Sequence, residues 1–84
     1  MGKWEKVLDS VISGANDPGI PFDDLCGLLE RLGFDRRTKG SHNIFRRTGI
    51  TERPNLQRAG KHAKPYQVRQ VREIIVRYNL RDKL

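Results

Sequence analysis

Residues 34–47 read FDRRTKGSHNIFRR, and this run decides the fold. The helical spacing of the preceding residues stops at Phe34. Phe34 to Lys39 then reads as a polar strand, broken by Gly40-Ser41. From Ser41 to Arg47 the side chains alternate. His42, Ile44 and Arg46 fall on one face, and Asn43, Phe45 and Arg47 on the other, which is the period of a strand. A sheet therefore stands in the middle of the chain.

Upstream, Phe22, Leu25, Leu28, Leu29 and Leu32 recur at steps of three and four. They mark a helix that starts near Pro21 or Phe22. Asp23 and Asp24 suit its first turn, where the helix dipole is positive, and Gly33 stops it. Trp4, Val7, Leu8, Val11 and Ile12 give an earlier helix over residues 3–13, ended by the turn-rich SGANDPG at 13–19. Downstream, Thr48-Gly49 is a turn signal. Ile50-Thr51-Glu52-Arg53 begins a third strand, and Asn55-Leu56-Gln57 completes it. Pro54 cannot donate to a ladder, so this strand belongs at a sheet edge or carries a bulge. Arg58 to Lys64 (RAGKHAK) reads as a basic loop. Pro65 fits the first position of a third helix, whose stripe is Val68, Val71, Ile74, Ile75, Tyr78 and Leu80. Arg69, Arg72 and Arg77 are expected to face water, with Glu73 paired to Arg77 one turn on. The expected architecture is α+β, in the order α-α-β-β-β-α, with a three-stranded antiparallel sheet and helices on one face. The 84 residues suit a single domain, with 1–19 as a helical extension and 20–80 as its core.

Seventeen Lys and Arg against ten Asp and Glu give a net charge of +7 and a pI near 10.2. The charge is lopsided. Residues 1–35 hold three basic against seven acidic residues, a net of −4. From Arg36 onward, fourteen basic residues face three acidic ones, a net of +11. Such a concentration favours a polyanionic partner. Cys26 is the only cysteine, so no internal disulfide can form, and its apolar neighbours mark it as a core residue. No apolar run approaches the roughly 20 residues of a bilayer span, and no signal-peptide pattern opens the chain. A cytoplasmic setting is expected.

His42 is the sharpest candidate for chemistry. Imidazole, with an ordinary pKa of about 6.5, both takes and gives protons near neutrality. Beside it in sequence stand Lys39, Arg46 and Arg47, cations suited to a phosphodiester. A neutral His42 can take the proton of a ribose 2′-hydroxyl, and fixed cations can hold the charge that builds on the phosphoryl oxygens. Ser41 can donate a hydrogen bond to a phosphate or simply shape the turn. His62, in the basic loop with Lys61, is either a second acid–base group or a solvated phosphate contact. Tyr66 can stack on a base, although packing onto the sheet is the commoner fate of such a tyrosine. Cys26, His42 and His62 include no close-spaced pair, so a metal site is not expected. No phosphate-binding or dinucleotide glycine motif is present.

The stretch from Leu25 to Leu80 resembles the HicA-type toxins of prokaryotic toxin–antitoxin pairs. Four features in order carry the resemblance: a helix ending in Leu32-Gly33-Phe34, a basic strand, the step Gly40-Ser41-His42 into a strand, and Pro65 leading into a helix of the form VRQVREII. The resemblance implies a fold like the double-stranded-RNA-binding domain and cleavage of mRNA without a metal or other cofactor. It also implies a HicB-type antitoxin partner, and the expected assembly is either a homodimer or a heterotetramer with that antitoxin. The family's catalytic histidine falls on His42, and Gly40 and Ser41 match the residues that set up its strand. Two departures stand out. Residues 1–19 have no counterpart in the shortest members. The family's third strand often carries a proline closely followed by a second histidine, whereas here Pro54 is followed by Asn55-Leu56-Gln57 and His62 comes later. Two other readings remain open: a non-catalytic RNA-binding module of the same fold, and a protein-interaction domain whose charge only aids solubility.

Overall fold

The structure, a computed structural model, describes residues 2–84. The elements run α1 (Lys3–Ser13), α2 (Phe22–Arg31), β1 (Asp35–Lys39), β2 (His42–Arg46), β3 (Asn55–Leu56), β4 (Arg58–Ala59), β5 (His62–Ala63) and α3 (Pro65–Arg77). Short 3₁₀ turns cover Asp17–Gly19 and Leu80–Lys83. Strands β1, β2 and β3 form one antiparallel sheet in that order, and β4 and β5 form a separate hairpin.

The α+β class is as expected, and the three helices follow the apolar spacing closely. All five stripe residues of α2 are buried. Helix α1 packs on α2 and α3, with Leu8 and Val11 in the common core. Its approach is close: a Cβ on Gly27 of α2 would lie 2.2 Å from the Trp4 ring. Burial removes Cys26 from solvent and pushes its thiol up to about 11, which fits a packing residue.

Strand register sets the two faces of the sheet. Residues directly opposite in an antiparallel pair share a face. On the inner face, Asn43 and Phe45 of β2 stand opposite Thr38 and Arg36 of β1, and Asn43 stands opposite Leu56 of β3. Asn43, Phe45 and Leu56 are buried. A buried amide must find partners. Asn43 Oδ1 accepts from Arg36 (2.9 and 3.2 Å) and Thr38 (3.0 Å), and its Nδ2 donates to the Leu56 carbonyl (3.3 Å). The outer face carries His42, Ile44 and Arg46 opposite Lys39, Arg37 and Asp35, with Asn55 beside Ile44.

Four expectations need correction. The third strand does not run from Ile50. Ile50 makes only an isolated bridge to Arg47, and β3 is reduced to two residues. Pro54 offers just a carbonyl, which accepts from Phe45 N–H at 2.9 Å. Glu52 is drawn away to Tyr78 Oη, Thr51 Oγ1 (2.9 Å) and Arg77 (3.1 Å). Arg77 is thus paired with Glu52 instead of Glu73.

Second, the basic loop at 58–64 is the hairpin β4–β5. Its two-residue loop Gly60-Lys61 has glycine first at φ +64, just as Gly40 leads Gly40-Ser41 at φ +60. This is the residue pattern of type II′ turns. The hairpin is tied to α2 by Phe22 N–H to Lys61 O and Ala63 N–H to Ile20 O, both 2.9 Å.

Third, Arg72 does not face water. It forks onto Asp17 at 2.9 and 3.1 Å and donates to the Val11 carbonyl at 3.1 Å, stapling α3 to the end of α1. Both partners are largely shielded, so Arg72→Met should leave Asp17 and that carbonyl without their donor. The expected cost is about 2 kcal/mol in urea unfolding. A change below about 0.5 kcal/mol would make the pair no better than a surface bridge. Fourth, Tyr66 does not pack on the sheet; its side of α3 is open and it is 55 % exposed.

The hydrogen bonds from Tyr78 and Thr51 hold the Glu52 carboxyl below its ordinary range. A carboxylate held low stabilises the fold above its unfolded pKa, and that contribution is lost as pH falls through the folded value. Glu52→Gln should therefore flatten the loss of Tm on acidification below about pH 4.5, followed by circular dichroism. An identical acid profile would show that the carboxylate adds nothing.

Candidate nucleic-acid interface around His42

The Gly40-Ser41 turn delivers His42 to the first position of β2, on the open face of the sheet. The imidazole is exposed. Its Nδ1 lies 3.3 Å from Asn55 Oδ1, and the Gln57 side-chain nitrogen lies 3.1 Å from Nδ1 and 3.3 Å from Nε2. The tautomer that satisfies both amides has Nδ1–H donating to Asn55 and Nε2 accepting from Gln57. That leaves Nε2 as the basic nitrogen. Lys64 Nζ donates to Gln57 Oε1 at 3.2 Å, which turns the NH₂ end of that amide toward the ring.

A buried glutamine supports this arrangement from beneath. Gln67, on the first turn of α3, accepts from Gln57 backbone N–H at 3.2 Å and donates to the Asn55 carbonyl at 3.3 Å. It therefore fixes the backbone on either side of Leu56. Asn55 and Gln57 then project their side chains to His42.

The expected site residues divide. Lys39 sits directly across the hairpin from His42, and Arg46 shares its face four residues along β2. Ser41 is exposed in the turn and, with Gly40, lines a cleft shared with Thr38, Gln57 and Arg58. Arg47 is not part of the group. It alternates to the opposite face and packs over Gly33, 3.1 Å from where a Cβ would stand. Lys61 is exposed at the tip of the other hairpin, and its carbonyl is used by Phe22. His62 follows Gly60-Lys61 as His42 follows Gly40-Ser41, but it belongs to β5. No hydrogen bond among the described residues joins it to His42.

Asn55, Gln57 and Lys64 are the residues that sequence reasoning missed. The alternation Asn55-Leu56-Gln57 was the available signal, since it puts both amides on one side of a buried leucine. Nothing local announced Lys64. Among the described residues, no group of three or more His, Cys, Asp or Glu is placed to hold a metal, and no helix is long and apolar enough to cross a membrane. Compared with family models, with curated proteins and with solved structures, the chain has no significant match.

Proposed function

We propose that this chain is an endoribonuclease of the toxin type, cleaving mRNA without a metal. The observation that supports it best is a solvent-exposed imidazole with Nδ1 held by the Asn55 amide and Nε2 met by the Gln57 side-chain nitrogen, whose place an incoming 2′-hydroxyl takes. His42 Nε2 takes the proton of a ribose 2′-hydroxyl. The 2′-oxygen attacks the adjacent phosphorus, the bond to the next nucleotide's 5′-oxygen breaks, and a 2′,3′-cyclic phosphate remains. The departing 5′-oxygen takes a proton from water or from the Lys64 ammonium. Lys39 and Lys64 offset the charge that develops on the phosphoryl oxygens.

The dsRBD-like core belongs to the same proposal. Helix α2, the sheet and α3 follow that order, with α1 and the β4–β5 hairpin as additions. The resemblance through Gly40-Ser41-His42 further suggests a cytoplasmic toxin neutralised by a HicB-type antitoxin, acidic where it covers the basic face. The decisive test is incubation of the purified protein with an end-labelled transcript in EDTA. Shortened products ending in cyclic phosphate are expected, and an intact transcript would refute cleavage. A second reading, an RNA-binding module without catalysis, is favoured by the arginines on the same face. Retarded but uncut RNA would select it.

A further inference from the structure

Beyond His42, the outer face of the sheet carries a shallow depression of about 400 Å³ that no sequence motif announced. Its outer-face lining is Asp35, Arg37, Ile44, Arg46 and Arg53, and Arg36 closes one side. Arg37, Arg46 and Arg53 are exposed, and none has a carboxylate within ion-pairing distance among the described residues. Four other arginines are paired within the chain. Arg36 is paired to Glu30, Arg58 to Asp23, Arg72 to Asp17 and Arg77 to Glu52. Arg31, Arg47, Arg69 and Arg81 also lack a carboxylate partner among the described residues, but Arg37, Arg46 and Arg53 are the ones gathered in one depression, around Ile44, where an outside anion can meet all three.

The depression and the imidazole lie on the same face of the sheet and are linked through the strand register. Ile44 pairs in register with Asn55, whose side chain contacts His42. His42 and Arg46 are four residues apart on one strand, about 13 Å at roughly 3.3 Å each. At the compact duplex rise of about 3.4 Å per nucleotide that is about four nucleotides, and a more extended strand covers it with fewer.

The geometry points to this arginine-ringed depression as a subsite for the substrate strand flanking the scissile phosphate, built for single-stranded RNA. It rests on the ribonuclease reading for the identity of the polyanion. Guanidinium groups bind phosphates in a fork and also stack on bases. Half-buried Ile44 gives a base face an apolar seat between them. A duplex hides its base faces in the stack and offers only sugar and phosphate, so it cannot use that seat. Asp35, at the β1 end, would repel a phosphate there and confines the backbone to the Arg37, Arg46 and Arg53 side.

The test uses the full chain and a fluorescein-labelled, 2′-O-methyl oligoribonucleotide of mixed sequence, which lacks the nucleophile and cannot be cut. Fluorescence anisotropy should show tighter binding of the single strand than of the same strand in a duplex. R37Q/R53Q should weaken single-strand binding by about tenfold or more and lower the slope of log affinity against log salt by about 1.4, two phosphates at about 0.7 each. Both side chains are exposed, so an unchanged melting curve controls for folding. Unchanged affinity in the double variant would overturn the subsite and assign the face to another partner. Duplex binding equal to or tighter than the single strand would overturn it too. Cleavage of an ordinary transcript, scored separately, isolates the ribonuclease reading. Its failure with arginine-dependent binding intact removes catalysis alone, and its success with unchanged affinity removes the subsite alone.

Discussion

His42→Ala is expected to reduce transcript cleavage by roughly a hundred- to ten-thousand-fold, the usual contribution of a general base. The fold should survive the change. His42 is exposed, its polar contacts are Asn55 and Gln57, and both are held independently through Gln67. Thermal unfolding should therefore move by no more than about 0.5 kcal/mol, the usual range of a surface substitution. In cells, the variant should be tolerated at levels at which the wild type arrests growth. Asn55→Ala separates orientation from chemistry. It keeps the imidazole and removes the acceptor that fixes Nδ1–H, so it should slow cleavage less than His42→Ala and shift the pH profile. Full activity of His42→Ala would end the catalytic assignment.

Phe45→Ala should have the largest effect on stability. Phe45 is fully buried on the inner face of the central strand, with the Arg36 guanidinium 5.8 Å from its ring centre. Removing a buried phenyl ring costs about 3–5 kcal/mol, the lost burial plus the cavity left behind. For a chain of this size, total stability is on the order of 4–13 kcal/mol. The loss is thus a large fraction of the whole, and each kcal/mol lowers Tm by about 4–8 °C. The neighbouring change Ile44→Ala is the control. Ile44 lies on the outer face and is only half-buried, so its truncation should cost much less. Comparable losses from the two substitutions would mean that the alternation of β2 has been assigned to the wrong faces.

Legibility in the sequence followed the length of each regular pattern. Helices α1, α2 and α3 repeat their apolar residues over several turns, and their spacing was enough. Strand β2 alternates over five residues, so the division into two faces was legible, but with Ile44 on one face and Phe45 on the other the sequence left open which of them is buried. The failures are of another kind. Strands β4 and β5 are two residues each, too short for any period, although Gly60-Lys61 carried the same turn signal as Gly40-Ser41. The Ile50 strand looked right locally and was lost to partners far along the chain, Arg77 and Tyr78. Arg72 is similar: Asp17 lies 55 residues away, and no local pattern can reveal a pair of that kind. At the site, His42 and Lys39 stood out because a hairpin turn brings them together. Asn55, Gln57 and Lys64 reach the imidazole only through the crossing of β3 and the docking of α3.

Gln67 couples that docking to motion. One side-chain amide on the first turn of α3 holds the backbone at both Asn55 and Gln57. Helix ends open at free energies below that of global unfolding. Each opening of this turn frees two main-chain groups at once and unfastens both amides from the imidazole. The orientation of the His42 ring is therefore tied to a local unfolding equilibrium at the helix start. Hydrogen exchange at the Gln57 amide, which donates to Gln67, should keep time with it.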